Sequence, residues 1–453
     1  MNNFRSEIRI VKYPNGEIQR VQSVTLPDWT SLEFEQPLPN PKALDQVCEL
    51  YEKFILPKAP YLFGTLVFFS LPDDMEMPFP FESRYGSLAD RETAAAIGLR
   101  KYLKGDKFVP DDEKGKRFVE DLKQRGRLRI LKGTRPFHSK IMCVSSKLGL
   151  LSSIAESRAF LSNTGFFTMD MFDLGSPYDI IGRPIGLRVK NGICLDPPLF
   201  EREALLVRKD GSVSIGKPSL SGMYLEISGK TFRPGKNAKL FERPGKRYAD
   251  SKGLNLAITE NRIIAAARNR KIVIPSAGFV LQVNNDEDIK AGEEVKYKGF
   301  EDVLFGIQAG NSIIRNGVPA NGFISYFSNI RDPFQLPIPP SLYPLDYEKD
   351  RAPRMALGAD KENRPVIVWA EGPGKFDDLS KSTEGTFSCG ASLREMEAIC
   401  RDLGLINAVN MDGGGSAQIM LSGKRELLIS DRHIEDNRGY ERPVPLGIGI
   451  NNL

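Results

Sequence analysis

The feature that most constrains the fold of this chain is a run of three consecutive glycines, residues 413–415, between two apolar segments. The preceding segment, residues 405–411, and the following one, residues 418–421, have the apolar pattern of buried strands. Because glycine lacks a Cβ atom, the chain can turn sharply there and its N–H groups can approach a ligand closely. The sequence therefore predicts a strand–glycine turn–strand unit whose amide donors suit an anion, with Asp412 at its entrance and Ser416 at its exit.

Two glycine-rich nucleotide-binding signatures do not fit this run. A Walker loop requires a Lys–Ser/Thr pair that opens a helix, whereas Ser416 is followed by Ala417 and Gln418. A dinucleotide fingerprint requires spaced rather than consecutive glycines. The remaining alternative is a hairpin turn without chemistry, in which Asp412 only caps the glycines.

A helix is predicted directly before the first of these strands. Ser392 and Glu395 have the spacing of a capping box, and Gly404 is placed to end the helix. The apolar residues between them recur on one helical face: Leu393, Met396, Ile399, Cys400 and Leu403. A helix packed against the strand would hold Asp412 rigidly at the strand's end.

The remainder of the chain predicts an α+β fold with a mostly antiparallel sheet core and few helices. From about residue 140 onward, short apolar runs alternate with turn residues, and Asp210-Gly211 between two of them predicts a hairpin. Strands are expected at 141–144, 159–162, 187–189, 204–207, 213–215, 263–266 and 271–274, and a helix at 150–156. The proline-rich residues 332–344 predict a long loop.

Residues 1–130 differ from the rest of the chain. Helical patterns occur at 42–54, 90–103 and 111–122, and a buried strand pattern at 65–71. We expect an N-terminal α-containing extension or accessory domain of unknown role at 1–130, followed by the main domain at 131–453.

Composition is that of a soluble globular protein, with 41% hydrophobic and 27% charged residues. The net charge of +5 is small for 453 residues and does not suggest a dedicated nucleic-acid surface. The N-terminus lacks the apolar segment of a signal peptide, and no run of about eighteen apolar residues occurs. The five cysteines are scattered without metal-ligand spacing. These features lead us to expect a cytoplasmic protein with reduced thiols.

Several short blocks of the chain occur in a recognisable order. The most specific are 390–396 (GASLREM) and 407–417 (NAVNMDGGGSA). Weaker blocks are 163–167 (NTGFF), 182–186 (GRPIG), 309–317, 351–358 (RAPRMALG) and 442–444 (RPV). Together they resemble the signature of the phosphodiester glycosidase family, over roughly residues 135–453. The chain departs from the family pattern at Thr164, Met355 and Glu371, which affects substrate detail more than chemistry.

The resemblance implies a hydrolase that cleaves the anomeric C–O–P bond of a sugar-1-phosphodiester, such as a glycan phosphate or a nucleotide sugar, and releases free sugar and a phosphomonoester. The transition state of such a reaction is oxocarbenium-like. Because a phosphomonoester leaves as a stable anion, the site needs cations and N–H donors more than a general acid. Arg354 is the first candidate cation, followed by Arg202 and Arg183, since guanidinium forks match phosphate oxygens. The structural alternative for each is a pair with a carboxylate.

Asp412 is the first candidate carboxylate, as nucleophile, base or electrostatic stabiliser of the sugar cation, with Glu371 as its partner. His433, in the charged loop after the glycine turn, is a candidate general acid. The candidate substrate-binding residues offer hydrogen bonds or bare backbone: Asn163, Gly165, Arg183, Arg202, Asn410, Gly413, Gly414, Gly415 and Ser416. Asn163 and Asn410 could instead hold the loops.

No metal site or cofactor is indicated, because the two histidines are isolated, and a divalent cation is left open. The expected partner is a small-molecule or glycan phosphodiester substrate. Nucleic acid and membranes are not indicated, and a homo-oligomer is left open. The alternative function is that of a non-catalytic sugar-phosphate or nucleotide binding protein that keeps the glycine-rich anion cradle.

Overall fold

The computed structural model describes residues 4–56, 63–133, 139–169, 174–200, 202–320, 351–373, 388–431 and 441–452. These ranges contain four α-helices: α1 (Ala43–Leu50), α2 (Arg91–Arg100), α3 (Glu113–Gln124) and α4 (Leu393–Asp402). They also contain thirty strands.

The strands, in chain order, are β1 (Arg5–Lys12), β2 (Ile18–Thr25), β3 (Glu33–Glu35), β4 (Thr65–Phe69), β5 (Glu82–Ser83), β6 (Gly86–Leu88), β7 (Leu103–Lys104), β8 (Lys107–Phe108), β9 (Leu128–Lys132), β10 (Lys140–Cys143), β11 (Arg158–Asn163), β12 (Arg188–Lys190), β13 (Ile193–Asp196), β14 (Ala204–Arg208), β15 (Val213–Gly216), β16 (Tyr224–Ile227), β17 (Lys230–Phe232), β18 (Lys239–Phe241), β19 (Leu254–Thr259), β20 (Arg262–Arg268), β21 (Gly278–Val283), β22 (Val295–Lys298), β23 (Val303–Gln308), β24 (Ser312–Arg315), β25 (Val318–Pro319), β26 (Arg354–Asp360), β27 (Pro365–Ala370), β28 (Leu405–Met411), β29 (Ile419–Leu421) and β30 (Gly447–Asn451).

The described strands form a mostly antiparallel set of sheets, and the α+β prediction is confirmed. The larger sheets have the orders β1-β2-β27-β26-β28-β24-β25, β15-β14-β23-β12-β13-β22-β16-β17 and β18-β21-β19-β20-β6-β5. A fourth sheet has the order β29-β11-β30-β3, and a fifth, β10-β4-β9, contains a parallel pair between β10 and β4. The predicted hairpin at Asp210-Gly211 joins β14 and β15.

The seven-stranded sheet positions the glycine turn. Its central strands β26 and β27 are buried along their whole length, and β28 is buried except for the partly exposed Ile406, because both faces of the sheet are covered. Ala356 and Ala408 pack on one face with Met396 of α4, whereas Met355 and Val409 face the core on the opposite side. Alternation along each strand therefore fixes which residues can share a face.

The N-terminal segment contributes strands to these sheets. Strand β2 pairs with β27, and β3 pairs with β30, so residues 5–35 complete two sheets of the main domain. Helix α1 and strand β4 share a core cluster with residues such as Leu161 and Met420. This geometry corresponds to an extension interleaved with the main domain, and the functional division at residue 130 stays a prediction.

Most of the expected elements occur within one to three residues of their predicted limits, including the helices α2 to α4 and the strand β28. The helix expected at 42–54 forms as α1 followed by a π-helical turn, Tyr51–Ile55. Two expectations were wrong. Residues 271–274 form no strand but only an isolated bridge between Val273 and Tyr248. Residues 150–156 form two short 3₁₀ turns, Leu151–Ser153 and Ala155–Ser157, because the chain turns at Ile154 before it enters β11. The expected proline-rich loop at 332–344 lies outside the described residues.

Four of the five cysteines are buried, and Cys389 is half-buried. Burial raises the pKa of the Cys400 thiol well above its usual value, so this side chain behaves as an apolar core residue. None of the helices in the described ranges is long and apolar enough to span a bilayer. The cytoplasmic location stays a prediction.

Candidate active site

Helix α4 and strand β28 build the scaffold of the site as predicted. The Ser392 hydroxyl accepts the N–H of Glu395, and the Glu395 carboxylate accepts the N–H of Ser392, which completes the capping box. Gly404 follows the helix with a φ of +81°, a conformation that glycine adopts without strain. The chain then enters β28, and a 3₁₀ turn, Gly414–Ser416, separates it from β29. The strand–glycine turn–strand unit is therefore confirmed.

The glycine turn lies directly against the start of β26. The N–H of Gly414 donates to the carbonyl of Pro353 at 2.9 Å. A Cβ atom on Gly413 would lie 2.5 Å from that same carbonyl oxygen, and one on Gly372 would lie 2.3 Å from the Pro353 ring. Glycine is required at both positions because the backbones approach too closely for a side chain.

Asp412 and Arg354 lie at the same edge of the seven-stranded sheet. Met355 is paired with Met411, so Arg354 and Asp412 are the next residues outward along β26 and β28. The Arg354 guanidinium is fully buried, and its Nε donates to the carbonyl of Ala391, just before α4, at 2.9 Å. Asp412 is 5% exposed, and its N–H donates to the carbonyl of Thr164 at 3.0 Å. The structure thus brings a buried cation and a carboxylate to one end of two adjacent strands.

Asn163 holds the two ends of the glycine turn together. Its Nδ2 donates to the carbonyl of Asp412 at 2.6 Å, and its Oδ1 accepts the N–H of Gln418 at 3.2 Å. Both ends of this buried amide therefore contact protein backbone. These contacts match the loop-holding alternative for Asn163.

An ion pair supports the turn from another side. Arg442 Nε donates to Asp431 Oδ2 at 3.0 Å, and both side chains are buried. A Cβ atom on Gly415 would lie 2.1 Å from that Asp431 oxygen and 2.3 Å from an Arg442 nitrogen. The third glycine is therefore needed because the Arg442–Asp431 pair lies across it. Sequence reasoning quoted Arg442 only as part of a family block and missed Asp431 entirely.

Several polar groups of the turn remain available to a ligand. Ser416 Oγ, Gln418 Nε2 and Ser430 Oγ are buried and have no hydrogen-bond partner among the described residues. Within the same part of the chain, no protein acceptor is assigned to the N–H groups of Gly413 and Gly415. Buried polar atoms without partners are uncommon in folded proteins, which marks this turn as a candidate ligand cradle.

A second wall is formed by the block at residues 163–167. The Arg202 guanidinium lies 5.2 Å from the centroid of the Phe166 ring, close enough for a cation–π contact. Gly165 lies between this ring and Thr164, whose carbonyl accepts the N–H of Asp412. Gly165 therefore follows the residue that binds the Asp412 backbone, and Arg202 contacts the ring one position further along; the binding roles of both stay predictions.

Asn410 lies on the sheet face that Ala356 and Ala408 share. Its backbone is bound to the neighbouring segment, since its N–H donates to the carbonyl of Asn311 at 2.8 Å. Asn311 in turn lines a cavity of about 330 Å³ together with Glu203 and Arg315. This cavity adjoins the strand that carries Asp412.

Two predicted site residues make contacts that are typical of structural positions. The Glu371 carboxylate is fully buried and accepts hydrogen bonds from both Arg20 Nε, at 2.7 Å, and Arg20 Nη2, from Ser388 Oγ at 2.6 Å and from the N–H of Leu428 at 2.8 Å. Its lone pairs are occupied by protein donors, which favours a role in holding β2 against β27.

Arg183 pairs instead with the N-cap of α2. Its Nη2 donates to Asp90 Oδ2 at 2.9 Å, and its Nη1 donates to Thr259 Oγ1 at 2.5 Å. Burial lowers the pKa of the Arg183 guanidinium, but the facing Asp90 and Glu260 carboxylates more than offset this and raise it above its usual value. These contacts match the structural alternative for Arg183.

The predicted general acid His433 lies outside the described residues. Within the described ranges, no three side chains of His, Cys, Asp or Glu converge as metal ligands would. Any role of His433 or of a divalent cation stays a prediction.

Comparison with known proteins places this geometry in a family. The sequence profile described as phosphodiester glycosidase matches residues 221–451, about half of the chain. This chain belongs to the phosphodiester glycosidase family. The matched range contains Arg354, Asp412 and the glycine turn, whereas Asn163, Arg183 and Arg202 precede it.

One curated relative is the N-acetylglucosamine-1-phosphodiester alpha-N-acetylglucosaminidase of Mus musculus. It is 34% identical over 84 residues, which are 18% of this chain and 14% of the mouse protein. The aligned stretch is therefore a small part of that enzyme's length.

Solved structures with a similar outline include a hypothetical protein from Synechocystis, with 15% identity, a TM-score of 0.44 and coverage of 99% of this chain and 62% of that chain. The catalytic domain of the zebrafish N-acetylglucosamine-1-phosphodiester alpha-N-acetylglucosaminidase, auto-inhibited by its pro-peptide, has 11% identity and a TM-score of 0.35, with coverage of 100% and 83%. A putative exported protein from Burkholderia pseudomallei has 15% identity and a TM-score of 0.40, with coverage of 100% and 97%. The family assignment rests on the sequence profile and not on these likenesses.

Proposed function

We propose that this protein hydrolyses the anomeric C–O bond of a sugar-1-phosphodiester. Water adds to the anomeric carbon, the bond between that carbon and the bridging oxygen breaks, and the phosphomonoester leaves with the bridging oxygen and the bonding electron pair. The proton lost by water is taken up by the site or by solvent. The products are a free sugar and a phosphomonoester.

The observation that carries the proposal is the glycine turn with Asp412 and Arg354 at one sheet edge. Backbone amides and a guanidinium are the donors that a departing phosphate needs, because its charge must be stabilised as the bond breaks. A carboxylate beside them can stabilise the positive charge that develops on the sugar. Family membership supports the same reaction class.

The contacts suggest separate roles for the site residues. The N–H groups of Gly413 and Gly415 and the Ser416 hydroxyl bind phosphate or sugar oxygens, and Arg354 neutralises the phosphate. Asp412 acts at the anomeric carbon. Arg202, held over Phe166, extends the positive charge of the site. Asn163 and the Arg442–Asp431 pair position the turn and do not react.

The test is a panel of sugar-1-phosphodiesters, including nucleotide sugars, followed by NMR of the free sugar and the phosphomonoester. The wild-type protein is expected to turn over at least one member. Asp412→Asn should lower turnover about a hundred-fold or more while substrate binding persists, since the cradle remains. Asp106→Asn, in an exposed turn between β7 and β8, is the matched control and should leave turnover unchanged.

The second candidate function is binding of a sugar phosphate or nucleotide without turnover. The buried polar atoms that have no hydrogen-bond partner in the described part of the chain would suit such a ligand as well. Saturable binding across the panel without turnover by the wild-type protein would favour it. Equal turnover by the wild-type protein and Asp412→Asn would remove Asp412 from the mechanism.

A further inference from the structure

The charge of this chain is unevenly distributed. Residues 230–271 contain twelve Lys and Arg but only three Asp and Glu, whereas the whole chain contains 63 and 58. This single segment therefore carries an excess of nine positive charges, more than the net +5 of the whole chain. The small net charge hides a strongly basic region.

The loops of this segment converge at one end of the sheet that contains β18 to β21. Asn255 Nδ2 donates to the carbonyls of both Asp250, at 2.7 Å, and Arg270, at 2.8 Å. The N–H of Asn269 donates to the carbonyl of Gly253 at 2.7 Å. The loops around residues 250 and 270 therefore present their side chains on a common surface.

Many of these cations are not neutralised locally. Lys239 pairs with Asp250 at 2.7 Å. In the described part of the chain, however, six exposed side chains have no carboxylate within ion-pair distance: Arg233, Lys236, Lys246, Lys252, Arg270 and Lys271. Exposed like charges in one region repel each other, and an anionic partner relieves that repulsion.

A groove runs through this surface. It is a cavity of about 920 Å³, and its lining includes three lysines and two asparagines: Lys236, Lys239, Lys252, Asn284 and Asn285. Glu242 is its only acidic residue among those described. None of the candidate active-site residues lines it.

Two exposed tyrosines flank the basic loops. The Arg233 guanidinium lies 4.9 Å from the Tyr224 ring centroid, and that of Arg247 lies 5.6 Å from the Tyr248 centroid. Tyr224 is 37% exposed and Tyr248 is 46% exposed. Exposed rings held beside guanidinium groups can stack on sugar rings while the cations bind phosphates.

We propose that this basic groove binds the chain of a phosphodiester-containing glycan, so that the substrate of the active site is a group carried by an anionic polysaccharide. The cations match the phosphates, and the asparagine side chains and tyrosine rings match sugar hydroxyls and sugar faces. This inference rests on the proposed function and selects a glycan phosphate over a free nucleotide sugar.

The test measures binding to phosphomannan, a mannan that carries mannose-1-phosphodiester groups, by affinity electrophoresis of the full chain at about 50 mM salt. Lys236→Gln/Lys252→Gln should weaken binding about ten-fold and reduce its salt dependence, because two phosphate contacts are lost. Lys114→Gln/Lys123→Gln on the exposed side of α3 removes the same charge and should leave binding unchanged. Uncharged mannan should not be retained.

Turnover of a short phosphodiester from the panel separates this inference from the proposed function. The groove variant should hydrolyse the short substrate at the wild-type rate, because the groove lies outside the active site. Phosphomannan binding without any turnover would leave the groove standing and remove the proposed function. The groove proposal would be overturned if the wild-type protein hydrolysed the short substrate but was not retained by phosphomannan. It would also be overturned if both double variants weakened phosphomannan binding equally. Single-stranded DNA bound as tightly as phosphomannan would overturn the glycan and point to nucleic acid instead.

Discussion

At the scale of single residues, each glycine of the turn has its own steric reason. Gly413 lies against the Pro353 carbonyl, and Gly415 lies against the Arg442–Asp431 ion pair. Gly414 has a φ of +60°, which a residue with a Cβ atom adopts only with strain. The triple glycine is therefore required by two close contacts and one backbone conformation.

Gly415→Ala is predicted to destabilise the protein and to abolish most of its activity. The new methyl group would lie 2.1 Å from Asp431 Oδ2, so the ion pair or the turn must move, at a cost of about 1–3 kcal/mol. Gly222→Ala is the matched control, because nothing lies within 4 Å of its Cβ position. Chemical denaturation and turnover measure both effects. Wild-type stability and turnover in Gly415→Ala would contradict this account of the site.

The position of a residue in the fold could be predicted from sequence where the signal was local. Asp412 and Arg354 each occur in a compact block, and the structure places them at neighbouring strand ends. Asp431 carried no such signal, because its partner Arg442 is 11 positions away in the sequence. The structural contacts of Glu371 depend on Arg20, which is 351 positions away, and no local pattern reveals a pair of that kind.

At the scale of elements, the Arg20–Glu371 pair joins strand β2 to the end of the neighbouring strand β27. The Glu371 side chain is fully buried, and that of Arg20 is 31% exposed. A buried carboxylate that loses its cation is left uncompensated, so breaking such a pair destabilises a protein more than the pair itself contributes.

Arg20→Gln is predicted to lower the free energy of unfolding by about 2–4 kcal/mol, somewhat below the range for a wholly buried pair because Arg20 is partly exposed. Glu371→Gln should also destabilise, yet the folded fraction should keep its turnover if Glu371 only holds the strands. Denaturation curves and turnover per folded molecule separate the two roles. A stable but inactive Glu371→Gln would establish the catalytic role that the sequence suggested. Arg9→Gln on the exposed strand β1 serves as the control.

The surroundings of Glu92 on helix α2 predict that the stability of the protein depends on pH. The N–H of Ser146 donates to the Glu92 carboxylate at 2.7 Å, while burial and, secondly, the neighbouring Asp90 raise the pKa of Glu92 to about 7. In the unfolded chain a glutamate titrates near pH 4.5. Between these values the folded state holds the extra proton, so the free energy of unfolding falls as the pH rises from about 4.5 to 7.

Glu92→Gln should remove this slope. We expect the free energy of unfolding of the variant, minus that of the wild-type protein, to be larger at pH 8 than at pH 5. Denaturant titration at both pH values measures this difference. The control Glu120→Gln, at an exposed position on α3, should differ from the wild-type protein in free energy of unfolding by the same amount at pH 5 and at pH 8. An equal difference for Glu92→Gln at pH 5 and pH 8 would show that Glu92 does not titrate in this range.

Prediction of elements from sequence worked best where caps and periodicity agreed. Helix α4 has a capping box, an apolar face and a terminal glycine, and it forms as expected. Residues 271–274 have strand-like composition, but their pairing with residues 247–249 amounts to a single isolated bridge, Val273 with Tyr248, and not a ladder. Whether such a segment forms a strand depends on which other strand lies beside it in the fold. The amino-acid composition of the segment does not reveal that neighbour.

At the scale of the whole molecule, the N-terminal 35 residues complete sheets of the main domain. Strand β2 covers the edge of β27 and β3 covers the edge of β30. Removal of these strands exposes backbone donors and acceptors of β27 and β30, together with apolar residues that the segment covers, such as Ile367 beside Val24 and Phe305 beside Trp29. The sequence suggested a separable region because its pattern differs, yet sheet order is set by long-range pairing that no local pattern shows.

A chain that begins at residue 131 is therefore predicted not to fold to a cooperative native state. Circular dichroism and thermal denaturation of this truncated chain, compared with the full chain, test the prediction. Addition of residues 1–130 as a separate polypeptide should restore part of the circular dichroism signal if only the strand pairing of β2 and β3 is missing. A stable, active 131–453 fragment would establish the accessory-domain alternative.

Hydrolysis in ¹⁸O-enriched water, read by the ³¹P NMR isotope shift of the released phosphomonoester, shows which bond of the substrate breaks. A glycosidase breaks the bond between the anomeric carbon and oxygen, so we expect a phosphomonoester without ¹⁸O. A phosphomonoester that carries one ¹⁸O atom would show that the P–O bond breaks instead. In that case the glycine turn would serve a phosphodiesterase, and the role assigned to Asp412 at the anomeric carbon would be wrong.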